Sequence, residues 1–103
     1  MNAIFVPTRY SRNDKRSLPV ASLRDADGAT IHCEPGAEFA AVAAVRAKAL
    51  AFGLAPYTAK DQTIPTAPKA LGPSRRVPGY VCLAINFARA DHAQTVELAP
   101  VGH

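Results

Sequence analysis

One segment of the chain has the marks of an α-helix, and the segments around it have the marks of strands. Residues 34–54 open with Glu-Pro-Gly-Ala-Glu, which places proline and carboxylates where a first helical turn accepts them. An alanine-rich run follows, with Gly53 as the predicted stop and Pro56 just beyond it. Because a lone helix must bury its apolar side against a sheet, the pattern predicts the α+β class.

The predicted helix has two unlike sides. At about 100° per residue, its larger apolar side chains fall on one broad arc that should face the sheet. These side chains are Phe39, Val42, Val45, Leu50, Phe52 and Leu54. The opposite side holds Ala40, Ala41, Ala44, Ala47 and Ala51, and Lys48 is its one charged residue. This smooth side is a candidate interface for a protein partner or a second copy, formed by Ala40, Ala44, Ala47, Lys48 and Ala51.

The segment before the helix predicts three strands. Residues 3–9 form the first, and residues 18–24 and 29–33 flank an Asp-Ala-Asp-Gly tetrapeptide that ends at Gly28. An Asp-Gly step between two β-prone runs favours a hairpin, because glycine accepts the positive φ of such turns. We therefore expect residues 18–24 to pair with residues 29–33.

Residues 79–88 predict a central strand, because large apolar residues alternate with small or neutral ones and neither face is charged. A weaker strand at 95–99 would pair with it. The complete prediction is one domain over residues 1–103 in the order β-β-β-α-β-β, with a mainly antiparallel sheet of four to five strands. The alanine-rich helix should pack on one face of that sheet.

Positive charge is concentrated in two segments, residues 9–16 and 56–78. Each segment holds four cations and one carboxylate, whereas the whole chain carries a net charge of +4. The second segment also contains five of the nine prolines, which predicts a long extended connection without regular structure. Basic loops of this kind attract polyanions, provided that the two segments form one continuous patch.

The leading hypothesis is a non-enzymatic protein that binds nucleic acid, or a complex that contains it, through these basic loops. Cations interleaved with aromatic, hydroxyl and amide groups contact phosphates and stack on exposed bases. The candidate residues are Arg9, Tyr10, Arg12, Lys15, Arg16, Lys69, Arg75 and Arg76. Arg46, inside the apolar arc of the helix, is either a packed stem with a solvated head or a further anion contact.

No catalytic, metal-binding or cofactor-binding constellation can be assembled from the residues. Cys33 precedes a helix N-terminus, where a thiol pKa falls, but His32 should point to the other face of its strand as a surface residue. The spacings of histidine and cysteine do not match zinc sites, and no glycine-rich phosphate motif occurs. We therefore predict no enzyme, no metal and no cofactor. A disulfide between Cys33 and Cys82 would require neighbouring strands.

The competing hypothesis is a protein–protein module, an accessory or inhibitory subunit of a larger assembly, for which a viral nucleoprotein complex is one setting. It would use the alanine side of the helix and the proline-rich segment. The start of the sequence resembles no leader, and no apolar stretch is long enough to span a bilayer. The expected location is the cytoplasm, away from membranes and with reduced thiols.

Overall fold

The structure is a computed structural model that describes residues 3–11 and 13–89. These residues contain six strands and one α-helix. The strands are β1 (Ala3–Ser11), β2 (Arg16–Pro19), β3 (Gly28–Cys33), β4 (Leu54–Pro56), β5 (Lys69–Pro73) and β6 (Val81–Arg89). The helix α1 is Glu38–Leu50, and Leu23–Asp25 forms a 3₁₀ turn. The predicted α+β class is confirmed. The strand predicted at 95–99 lies outside the described residues.

The sheet is antiparallel throughout, in the order β2-β1-β3-β6-β4. β6 is central, as its uncharged faces predicted. It pairs with β3 along one edge, from Gly28 opposite Asn86 to Cys33 opposite Val81. Its other edge pairs with β5 near the start of the strand and with β4 near the end.

The hairpin predicted around Gly28 is wrong. β2 pairs with β1 and not with β3, and residues 23–25 form the 3₁₀ turn. Gly28 is a strand residue without a positive φ, and it lies opposite Asn86. A Cβ atom at this position would collide with the backbone carbonyl oxygen of Ile85. The glycine therefore allows β3 and β6 to approach each other and does not form a turn.

The antiparallel register sorts the strand side chains onto two faces. Phe5, Ile31 and Leu83 form one row on the face that α1 covers. The alternating residues point the other way, because successive side chains of a strand lie on opposite faces. We call this second face the open face, because no helix of the described residues packs on it. It carries Val6, Thr8, Tyr10, Thr30 and His32.

α1 contacts the sheet through a stripe of smaller residues than predicted. The buried side chains of the helix are Ala41, Val42, Val45 and Ala49. Phe39, Leu50 and Phe52, which were expected to face the sheet, are 89%, 65% and 48% exposed. Alanine in the contact lets a helix approach closely, so larger side chains fit only at the margin of the stripe. Gly53, which was predicted to end the helix, has a φ of +77° and lies three residues after the last helical residue.

Residues 56–78 are not an unstructured connection, contrary to the prediction. β5 lies within them and pairs with β6 through an irregularity between Ala70 and Gly72. Ahead of β5, the backbone N–H of Thr66 donates to the carbonyl oxygen of Tyr57 at 2.8 Å and closes a loop. A proline-rich sequence accepts strand pairing where the missing N–H groups are not needed by the ladder.

Candidate functional site

A cleft of about 500 Å³ lies on the open face. Strands β1 and β3 form its floor, β2 forms one wall, and the β5–β6 loop, residues 74–80, forms the other. The lining residues are Val6, Thr8, Ser17, Pro19, Thr30, His32, Arg75 and Arg76. Hydroxyl, imidazole and guanidinium groups thus converge on one concave surface, and no described carboxylate lines it.

Ser74 holds the β5–β6 loop to the sheet. Its backbone N–H donates to the carbonyl oxygen of Tyr80 at 2.8 Å. Its Oγ accepts the N–H groups of Arg76 and Val77 at 3.1 and 3.0 Å. The same oxygen lies 2.7 Å from Nδ1 of His32. A hydroxyl has two acceptor sites and one hydrogen, so this geometry favours donation of the Ser74 hydrogen to Nδ1 of a neutral His32 that carries its proton on Nε2.

His32 is a buried residue, so the expectation of a surface histidine is wrong. Its side chain is only 8% exposed, because the β5–β6 loop covers it. Burial lowers the pKa of His32 below its ordinary value, and the positive charge of Arg76 lowers it further. Both effects favour the neutral imidazole that the hydrogen bond from Ser74 requires.

The charged side chains that the described strands and the β5–β6 loop bring to the open face are those of Lys69, Arg75 and Arg76. None of its six strands contains Asp or Glu. Arg75 and Arg76 form no ion pair with another described residue. Lys69 lies opposite Ala84 across the β5–β6 ladder, and Ala84 lies opposite Thr30 of the cleft floor. Two strand spacings, about 10 Å, therefore separate Lys69 from the cleft floor.

Two other candidates, Arg9 and Arg16, lie on the face that α1 covers. Arg16 is opposite Ser11, which shares its face with Arg9. The Nε atom of Arg9 donates to the carbonyl oxygen of Asp25 at 3.0 Å. The sheet thus separates these two cations from the cleft, and the described residues of the two basic segments do not form one continuous patch.

The remaining candidates of the first basic segment are Tyr10, Lys15 and Arg12. Tyr10 lies on the open face, opposite Ser17 of the cleft wall, and its side chain is 53% exposed. Lys15 is exposed in the turn between β1 and β2, where its φ is +53°. Arg12 lies outside the described residues. An exposed aromatic ring is thus placed beside the cleft, whereas Arg9 and Arg16 lie on the other face of the sheet.

Arg46 binds the loop that follows β4. Its Nη2 atom donates to the carbonyl oxygen of Thr66 at 2.9 Å. Its Nε atom is buried without a hydrogen-bond partner among the described residues. Burial lowers the pKa of this guanidinium from its usual value. The contacts of Arg46 are therefore with its own chain, and they hold the loop against the helix.

Four of the five candidate interface residues lie on the exposed side of α1, and the fifth, Ala51, is the exposed residue that follows its last turn. The five residues are Ala40, Ala44, Ala47, Lys48 and Ala51. Ala41, which the helical arc placed with them, is instead buried against the sheet. Phe39 and Leu50 lie at the margin of this side and add exposed apolar surface to it.

Both thiols are free, although β3 and β6 are neighbours. Cys33 faces the core, whereas Cys82 lies opposite His32 on the open face. Burial is the main cause that raises the pKa of Cys33, and the carboxylate of Glu38 raises it further. Burial also raises the pKa of Cys82. A raised pKa disfavours the reactive thiolate form of both cysteines.

The sequence analysis missed several groups of the cleft. Thr8, Thr30 and His32 carried a signal, because alternation along β1 and β3 and the pairing of the two strands place them on one face. No feature of the local sequence indicated that Ser74 belongs to the cleft. Its contact with His32 joins residues 42 positions apart, and no local pattern predicts that the β5–β6 loop folds over the sheet.

No family model, curated protein or solved structure shows a significant match to this chain. In the part of the chain that the structure describes, no helix is long and apolar enough to cross a bilayer. The same residues contain no group of three His, Cys, Asp or Glu side chains arranged to hold a metal ion. What the chain binds is therefore inferred from its own side chains.

Proposed function

We propose that this chain is a non-enzymatic binding protein whose open face binds a strand of nucleic acid. The two basic segments do not form the single patch that the hypothesis from the sequence required, so the proposal is narrowed to one of them. The observation that carries it is the position of Arg75 and Arg76 beside a cleft that no described carboxylate lines. Charge that is gathered in a concave surface and not neutralised by the protein itself attracts a polyanion.

The chemistry of the cleft suits a phosphate group. A guanidinium presents a planar fork of donors that matches two phosphate oxygens. The hydroxyls of Ser17, Thr8 and Thr30 line the same cleft, and hydroxyl groups are common phosphate contacts in nucleic-acid complexes. The hydrogen bonds of Ser74 hold the loop in place before binding, so less conformational entropy is lost when the ligand binds.

A single strand fits this surface better than a duplex. Tyr10 is exposed on the same face, and an exposed tyrosine stacks on an unpaired base. The bases of a duplex are already stacked inside it and are not offered to a flat sheet. Lys69, on the far side of the face, supplies a third cation for the backbone of a strand that crosses the sheet.

Fluorescence anisotropy with labelled single-stranded RNA, single-stranded DNA and duplex DNA, each titrated at several salt concentrations, tests the proposal. Three neutralised phosphates predict a slope of about −2 for log K against log[salt] on a single strand. Replacing Arg75 and Arg76 by alanine should reduce the slope to about −0.7, since only Lys69 would remain.

Arg16→Ala and Lys60→Ala are matched controls, because Arg16 lies on the other face of the sheet and Lys60 lies in the loop before β5. Both should leave the affinity unchanged. No binding of any nucleic acid at low salt would remove the proposal. An Arg16→Ala effect as large as that of the double variant would show that the open face is not the binding surface.

A protein interface on α1 is the second candidate function, favoured by the exposure of Phe39 and Leu50 at 89% and 65%. Lys48 is the only charged residue on the exposed side of α1 beyond its first turn. Exposed apolar side chains grouped on one side of a helix are typical of an interaction site. Alanine also permits a partner backbone to approach closely.

Light scattering over a range of concentrations, together with chemical cross-linking, tests this second candidate. The interface predicts a dimer or a defined complex that Ala47→Glu disrupts, because the new carboxylate would be buried without a partner. Lys69→Glu introduces a carboxylate on the open face, on the other side of the sheet from the helix, and should have no effect. A strict monomer at every concentration, with no captured protein, would argue against the interface.

A further inference from the structure

A second cleft, of about 520 Å³, lies on the helix-covered side of the sheet, between β1, the 3₁₀ turn and the end of α1. Its lining residues are Phe5, Pro7, Ala21, Ser22, Leu23, Lys48, Ala51 and Phe52. All but two of these residues are apolar, and two of them are phenylalanines. The sheet separates this cleft from the open face, so it is a different site from the one proposed for nucleic acid.

The two polar side chains of this cleft are both hydrogen-bond donors. The Nζ atom of Lys48 lies 5.5 Å from the centroid of the Phe5 ring and forms no ion pair with a described residue. The hydroxyl of Ser22 accepts the backbone N–H of Arg24 at 3.1 Å, and its own hydrogen remains for another acceptor. No carboxylate among the described residues lines the cleft.

The ammonium group of Lys48 can exchange its present contact for a stronger one. An exposed lysine over a half-buried phenylalanine ring is held weakly, whereas a charge-assisted hydrogen bond to a carboxylate is stronger. Phe52 is 48% exposed beside it, so an apolar surface in this cleft is in contact with water. Apolar walls with a few convergent polar groups are the usual form of a small-molecule site.

We propose that this cleft binds an amphipathic carboxylate, a small molecule with an apolar chain or ring and one carboxylate group. The apolar part contacts Phe5, Leu23 and Phe52, and the carboxylate pairs with the ammonium of Lys48. A nucleic-acid strand does not fit these groups, because one cation among apolar walls leaves most of its phosphates without partners. This proposal does not depend on the function proposed for the open face.

Three ligands with the same chain and different head groups test the proposal: decanoate and decyltrimethylammonium below their micelle concentrations, and decanol below its solubility limit. Two-dimensional NMR of the labelled protein should show saturable decanoate shifts at the signals of Phe5, Leu23 and Phe52. Decanol should bind at least about tenfold more weakly, which is the usual effect of losing one hydrogen bond between charged groups. The cationic ligand should bind more weakly still. Equal affinities for all three, or shifts that do not saturate, would overturn the proposal.

Lys48→Met removes the charge and keeps an apolar side chain of similar length. Position 48 is exposed, so the substitution is compatible with folding. Decanoate affinity should fall at least about tenfold in this variant, while decanol affinity should stay the same. Lys60→Met removes an equal charge outside the cleft and should change neither. Unchanged decanoate binding by Lys48→Met would show that the carboxylate is not recognised at this position.

Discussion

Protonation of His32 should release the β5–β6 loop and lower the stability of the fold. Neutral His32 accepts the hydroxyl hydrogen of Ser74 at Nδ1, whereas protonated His32 has no acceptor to offer and faces the charge of Arg76. Burial and that charge lower the pKa of folded His32 below about 6.5, the value expected in the unfolded chain. The unfolded state therefore binds more protons below this pH. The contribution of His32 to stability is complete above about pH 6.5 and is lost as the pH falls below it.

The size of the effect follows from the burial of the pair. His32 is 8% exposed, so water does not replace the lost partner. A hydrogen bond of this kind contributes about 0.5–1.5 kcal/mol to the free energy of unfolding. About 1 kcal/mol shifts Tm by roughly 4–8 °C in a domain of this size. We expect a fall of that order between about pH 7.5 and pH 5.5, a range above the ordinary pKa values of Asp and Glu.

Circular-dichroism melts of the wild type and of His32→Gln at the two pH values measure the effect. His32→Gln should have a lower Tm at the higher pH and little further change on acidification, because glutamine does not titrate in this range. Nitrogen-15 NMR of the imidazole should show the Nε2–H tautomer at the higher pH. A wild-type Tm that is the same at both pH values, or a Nδ1–H tautomer, would refute the assignment of the Ser74 hydrogen bond.

Three further predictions test the packing. Gly28→Ala should destabilise the fold by about 1–3 kcal/mol in urea unfolding, because its Cβ would press on the backbone of β6; an unchanged midpoint would refute that contact. Arg46→Met should increase hydrogen exchange in the loop before β5, because the carbonyl of Thr66 loses its donor, while the central strands keep their protection. Ala49→Leu, at a site that is 0% exposed, should cost about 1–3 kcal/mol, whereas exposed Ala47→Leu should stay within about 0.5 kcal/mol. Equal effects of the two leucines would contradict the observed helix orientation.

The fold class and the main elements could be predicted from the sequence, but some pairings could not. The helix and the central strand have clear periods, and both are present at nearly the predicted positions. Gly28 was interpreted as a turn residue because Asp-Gly is a turn signal, whereas the packing of two strands requires glycine there. The local sequence shows that glycine occurs at this position. It does not show whether a positive φ or the close approach of another strand requires it.

The exposure of Phe39 and Leu50 shows the same limit of prediction from the sequence. A broad apolar arc indicates which half of a helix is buried, but not the angle at which the helix lies on a sheet. Here alanine and valine form the contact, and the larger side chains are left at the margin. The orientation depends on the shape of the sheet surface, which residues distant in the chain create.

By itself, the sequence determined that this chain folds as one helix on an antiparallel sheet, because helix and strand periods are properties of neighbouring residues. It also determined that positive charge is concentrated in two segments. Only the tertiary structure decided which cations act together, because a face of a sheet collects residues from strands far apart in sequence. The strand order and the hydrogen bond between His32 and Ser74 place Arg75 and Arg76 over the open face, while the register of β1 and β2 directs Arg9 and Arg16 to the other.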